Sequence, residues 1–257
     1  RFGDGLDIVV ERRSSCASGG GTGMSGGHDV EQEAGKRLDA FVDAAFAFAV
    51  TLLIIASAEP TATIDALWRA LGRIPASLGA FALIAMFWLA YREYGRLVPR
   101  RDTLSTLNAL AIVFTVLVYV FPLRMLIESG FGWLSRGWLP GKEIIRTLDD
   151  LRGLFRIYGL GFAILAGLFT ALYQHAVNHR DRLGVETGDL ASIRLSRDIW
   201  TFAAVSGLVS AGLTFGPMAA APWLPGFAYW LIPLAIALRE PLGRALTRKP
   251  VDDKNFA

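Results

Sequence analysis

The sequence predicts an all-α integral membrane protein with six transmembrane helices and both termini in the cytoplasm. Three observations carry this. Of 257 residues, 53% are hydrophobic, and the mean hydropathy is +0.41. Much of that apolarity is gathered into separate runs of about 20 residues, the length that crosses a hydrocarbon core of roughly 30 Å. Several runs lack the regular charged face that a helix in a soluble protein keeps toward water. Lys and Arg also concentrate in alternate loops, as in membrane proteins with a fixed orientation.

The first expected span, residues 38–58, lies in KRLDAFVDAAFAFAVTLLIIASAEP, whose opening turns carry Arg37, Asp39 and Asp43. An ionisable group inside a span is costly and marks function or a paired contact, less strongly near an end. The second and third spans are expected at 75–96 and 106–127, the fourth at 154–177, the fifth at 199–218 and the sixth at 223–238. Pro225 and Pro233 interrupt the sixth, which membrane helices tolerate when neighbours satisfy the freed carbonyls. Arg92, Arg96, Arg100 and Arg101 mark the second–third connection as cytoplasmic, as do Arg180, Arg182, Arg194 and Arg197 between spans four and five. Arg239, Arg244, Arg248, Lys249 and Lys254 mark the C-terminal tail likewise, and no Lys or Arg lies between spans five and six.

Residues 1–35 are expected to be disordered, with Met24 as the natural start; residues 36–240 form the membrane domain and 241–257 a basic cytoplasmic tail. Trp68, Trp133, Trp138, Trp200 and Trp223 fall near span ends, where interfacial anchors sit. Ala203, Gly207 and Ala211 recur at four-residue spacing, the signature of closely packed membrane helices. The loop 130–152 contains the amphipathic stretch IIRTLDDLRGLF, expected as a short helix at the outer surface.

Little in the chain points to bond chemistry. Cys16 is the only cysteine, which excludes an intrachain disulfide and a cysteine-based metal cage. His175 and His179 have the i, i+4 spacing of a metal pair, yet only Asp181 stands nearby as a third ligand, so a polar helix end is the expectation and no metal is assigned. The string Gly21-Thr22-Gly23-Met24-Ser25-Gly26 matches a dinucleotide-binding loop without the strand that such a loop requires. Arg124 and Glu128 are expected as a surface pair one turn apart, and Asn108 as a hydrogen-bonding residue between helices. The C-terminal basic cluster reads as a topology signal, with no support for nucleic-acid binding.

At the first span the residues meet a family. Arg37-x-x-x-Phe41-Val42-Asp43, then AFAFAVTLLII and Glu59-Pro60, resembles the Arg-x-x-x-Phe-Ser-Asp signature of the lysosomal potassium channel family, in its prokaryotic six-span branch. Phe87-Trp88-Leu89-Ala90-Tyr91-Arg92 is similar to the family's aromatic-Trp-x-x-His-His stretch, and Leu107-Asn108 and Phe121-Pro122 occupy matching ends of the third span. Val42 replaces the motif Ser, and Tyr91 and Arg92 replace the paired His. The resemblance implies a homotetramer in the bacterial inner membrane whose first helices line a central pore for passive potassium flow, with no cofactor and no enzymatic activity. It places the constriction at Phe48, bulkier than the usual Ile or Leu, a polar layer at Thr51 and a further turn at Ile55. It gives Arg37, Phe41, Asp43, Trp88 and Asn108 architectural roles. Independently of the family, Phe48, Thr51 and Ile55 follow i, i+3, i+7 and share one helix face. The rival readings are a proton-coupled transporter using Asp43 and a non-conducting relative closed by Phe48 and Val42.

Overall fold

The computed structural model describes residues 25–57, 63–135, 147–216 and 224–230. Every described element is helical. Helix α1 runs Ser25–Ser57 and α2 Ile64–Gly72. Helix α3 runs Ile74–Leu97, α4 Thr103–Leu134 and α5 Leu148–Asn178. The one-turn α6, Arg180–Leu183, precedes α7, Leu190–Leu213, and α8 is the single turn Leu224–Phe227, continued as a 3-10 turn over Ala228–Trp230.

Four segments are long and apolar enough to cross a membrane: Glu33–Ile55, Ile74–Leu97, Thr103–Gly132 and Leu148–Asn178. They coincide with the first four expected spans. Helix α7 holds the fifth expected span, starting nine residues early, but carries Arg194, Arg197 and Asp198 in its first half. Most of the expected sixth span and the whole basic tail lie outside the described residues, as do Trp138, Trp223 and residues 1–24.

The helix ends depart from expectation for local reasons. Helix α1 begins at Ser25, so residues 25–35 are helical rather than disordered. The run Glu31-Gln32-Glu33-Ala34 supplies good helix formers that carry the helix back from the span despite three glycines in the stretch. The amphipathic LDDLRGLF turns are not a separate surface helix but the start of α5, fixed by a reciprocal cap. Thr147 Oγ1 accepts from the Asp150 N–H at 3.1 Å, and Asp150 Oδ2 accepts from the Thr147 N–H at 2.9 Å. Helix α4 continues through Pro122 to Leu134 instead of stopping near 127, because Pro removes one backbone donor without ending a packed membrane helix. Between α1 and α3, α2 starts on Thr63, whose hydroxyl accepts from the Ala66 N–H at 3.2 Å.

The core lies between α1, α3, α4, α5 and α7. Helix α1 contributes the stripe Val42, Phe46, Ala49 and Leu53, all buried. Phe87 of α3 stacks on Phe169 of α5, which stacks on Trp200 of α7 with centroids 4.5 Å apart. Trp200 is therefore a core residue and not an interfacial anchor; Trp68 is exposed as an anchor would be. Helices α5 and α7 approach backbone to backbone. A Cβ on Gly159 would lie 2.8 Å from the Gly207 carbonyl oxygen, and one on Gly207 equally close to that of Gly159. This is the crossing that the Ala203, Gly207, Ala211 spacing anticipates. Arg124 and Glu128 pair at 2.8 Å with side chains only 14% and 7% exposed. They form a buried pair rather than a surface one, because α4 is longer than expected and its outer turns pack against the bundle.

Candidate functional site on the first helix

Helix α1 has two faces. Val42, Phe46, Ala49 and Leu53 bind it to the core, while Phe41, Phe48, Thr51 and Ile55 point out of the protomer. With 3.6 residues per turn the two stripes lie on roughly opposite sides. Phe48 is 54% and Ile55 62% exposed. The three residues read from sequence as one face are thus brought together on a surface left uncovered among the described residues. Thr51 Oγ1 donates to the Ala47 carbonyl at 3.0 Å, which leaves its oxygen lone pairs directed away from the helix axis.

Two of the motif residues bond across helices. Asp43 Oδ1 accepts the indole N–H of Trp88 on α3 at 2.8 Å. Asn108 Nδ2 donates to the Leu168 carbonyl on α5 at 3.1 Å, while its amide oxygen is buried without a protein partner. Val42 takes the place of a hydroxyl residue and is fully buried, so the motif's polar contact is replaced here by apolar packing. Arg37 does not reach a neighbouring helix. It pairs with Glu33 one turn earlier at 3.6 Å, and both side chains are exposed. Sequence reasoning missed this because Glu33 was assigned to a disordered segment. Arg92 stacks over the Trp88 ring at 5.4 Å.

A second polar cluster at the same end of α1 involves residues not singled out from sequence as a site. Asp39 accepts from the Tyr91 hydroxyl at 3.2 Å and from Arg101 at 3.3 Å. Next to Arg101, Asp102 accepts from His175 Nε2 at 2.8 Å and pairs with Arg182 at 3.3 Å. The His175 and His179 rings lie with centroids 4.5 Å apart, tilted by 36°, and His175 turns its Nε2 to Asp102. Among the described residues, no group of three or more His, Cys, Asp or Glu side chains is placed to hold a metal ion.

Comparison with known proteins identifies the arrangement. Residues 37–122 match the family model of the endosomal/lysosomal potassium channel TMEM175. Over that third of its length the chain is similar to TMEM175. A protein of Marivirga tractuosa called a potassium channel is 27% identical over 167 residues, 62% of this chain and 66% of that protein. The crystal structure of a variant of the potassium channel MtTMEM175 superposes with a TM-score of 0.69 at 23% identity, over 81% of this chain and 93% of that one. A lysosomal potassium-selective channel TMEM175 homolog from Chamaesiphon minutus gives 0.54 at 22% identity, over 80% and 98%. At those identities the two structures establish a shared TMEM175 fold. The family model covers the first two expected spans and most of the third, and the matched residues include Arg37, Phe41, Asp43, Phe48, Thr51, Ile55, Trp88 and Asn108.

Proposed function

We propose that this protein is a passive, potassium-permeable cation channel of the bacterial inner membrane. Copies of α1 gather around a common axis, and the constriction is formed by Phe48, with Thr51 and Ile55 on the following turns. The observation that carries this reading is the outward stripe on α1, opposite the stripe that binds the helix to its own bundle. Asp43, one turn before the stripe on the same helix, holds α1 to α3 through the Trp88 indole.

The physics suits a gate. Removing water from an ion is expensive without replacement ligands, so a ring of Phe side chains closes by dewetting. A ring of Thr hydroxyls one turn away offers oxygens in place of hydration. The channel is a homotetramer with six spans per subunit and both termini in the cytoplasm, as the Arg and Lys distribution supports. Residues 36–240 make the membrane domain, flanked by the N-terminal segment and the basic tail. No bond chemistry and no cofactor enter the cycle; potassium ions and the bilayer are the partners.

The test is ion flux into vesicles containing purified protein, with potassium, sodium and protons compared. Phe48→Ala is expected to raise potassium flux several-fold, and Thr51→Val to lower potassium preference. Unchanged flux and selectivity in both variants would remove the assignment. Flux that saturates and follows a proton gradient would point to a transporter working through Asp43.

A further inference from the structure

Helix α2 lies in sequence between two membrane-length helices, yet among the described residues nothing buries any part of it. Its side chains sort onto three sides at about 100° per residue. Ile64, Leu67, Trp68 and Leu71 fall within one arc and are 70%, 45%, 69% and 43% exposed. Ala66 and Ala70 share a second side and are half-buried, so the small side chains are the ones turned to the bundle. Asp65 and Arg69, one turn apart, share the third, and Arg69 stands across the helix from Leu67 and Leu71. Water all round would leave the apolar arc wet, and hydrocarbon all round would strip water from Asp65 and Arg69. A membrane–water boundary suits both sides at once.

The joint to α3 places the helix at that boundary. Only Arg73 separates α2 from α3, at the end of α3 away from Arg96. The Arg73 N–H reaches back three residues to the Ala70 carbonyl at 3.1 Å, and Pro75 has no N–H to give. The regular ladder is thus interrupted here, and α3 starts its own with the Ser77 N–H on the Arg73 carbonyl at 3.0 Å. The apolar surface nevertheless runs on across the joint. Leu71, Ile74, Leu78 and Phe81 are all exposed at three- and four-residue steps, and the last three belong to a segment long and apolar enough to cross a membrane.

We propose that α2 is an interfacial helix that seats Ile64, Leu67, Trp68 and Leu71 among lipid headgroups and upper acyl chains, on the side of the membrane opposite the α3–α4 turn. Trp68 supplies the amphipathic ring that settles at headgroup level. On α2 itself Asp65 and Arg69 balance, so apolar area makes the contact and attraction to anionic lipid does not. The inference needs α1 and α3 to span the membrane; it does not need the channel reading.

The experiment is depth-dependent fluorescence quenching on full-length protein in phosphatidylcholine vesicles. Cys16 is the only cysteine, so a Cys16→Ser background with one of Leu67→Cys, Leu71→Cys, Asp65→Cys or Arg69→Cys takes a single NBD label. All four positions are exposed, and each label is read in protein that melts with its parent. A nitroxide high on the acyl chain is expected to quench the labels at positions 67 and 71 about twofold, as for a face roughly 5–10 Å into the headgroup boundary, and one near the chain's methyl end much less. The labels at positions 65 and 69 are expected to be quenched by aqueous iodide and hardly by either lipid. Added phosphatidylglycerol is expected to change none of this. Iodide quenching at all four positions would overturn the proposal, as would equal lipid quenching at all four or a depth that appears only with phosphatidylglycerol. Labels at positions 67 and 71 shielded from iodide yet untouched by either nitroxide would give the face to a second copy of the chain instead. Ion flux does not enter the readout, so a silent channel leaves the result standing.

Discussion

Asp102 sits at the head of α4 with its side chain almost out of water, yet it is held in the charged form. Burial by itself would raise its pKa, but the Ser105 N–H, the Ser105 hydroxyl and His175 together hold it down to about 2. A carboxyl whose folded value lies below its unfolded one adds stability above the unfolded value. That stability is lost as pH falls through the folded value, here between about 4 and 2. The shift corresponds to about 2–3 kcal/mol. Asp102→Asn is therefore expected to destabilise the protein by about 2 kcal/mol at neutral pH, with the gap to wild type closing as pH falls toward 2; thermal unfolding in detergent at a series of pH values checks both. Trp88→Phe keeps the ring packing but removes the donor to Asp43. Because Asp43 is exposed and water replaces the donor, the expected cost is only about 1 kcal/mol, with a looser α1. An equal melting temperature for Trp88→Phe and wild type would show that the bond contributes nothing.

At the scale of elements, the α5–α7 crossing depends on two facing glycines whose neighbours are backbone atoms that have nowhere to move. Gly207→Leu is expected to cost about 3 kcal/mol or more through overpacking, whereas Gly167→Ala, with open space around it, is expected to be nearly silent. Yield and melting temperature of the two variants decide this. Helix α1 is governed by a different rule, the separation of its two stripes. That Phe48, Thr51 and Ile55 share one side of the helix was legible from their spacing, because helical periodicity groups residues by side; which way that side turns was not. Helix lengths were less legible. The first turns of α5 read as a loop helix because Asp149, Asp150 and Arg152 lower the local hydropathy, while the capping box that joins them to the span is a geometric feature. The beginning of α1 was hidden in the same way by its polar residues.

On the scale of the whole molecule, the described residues of a single chain leave Phe41, Phe48, Ile54 and Ile55 exposed along α1. Lipid or another copy of the chain covers such a face in a membrane, and the channel reading requires another copy. Native mass measurement of the detergent-solubilised protein is expected to give four copies of the 27.9 kDa chain. A monomer with full flux would contradict the shared pore.

The sequence by itself determined that the chain is a helical membrane protein, where its first four spans lie, which family the first part of its membrane domain resembles and which residues of α1 share a side. These follow from composition, periodicity and short motifs, all of which are local. Only the tertiary structure decided which charges meet. Arg37 turned to its own helix, whereas Arg101 found Asp39 from 62 residues away and His175 found Asp102 from 73. Pairing between helices is set by how closely and at what angle they cross. That in turn depends on contacts such as Gly159 against Gly207, which no single stretch of sequence contains.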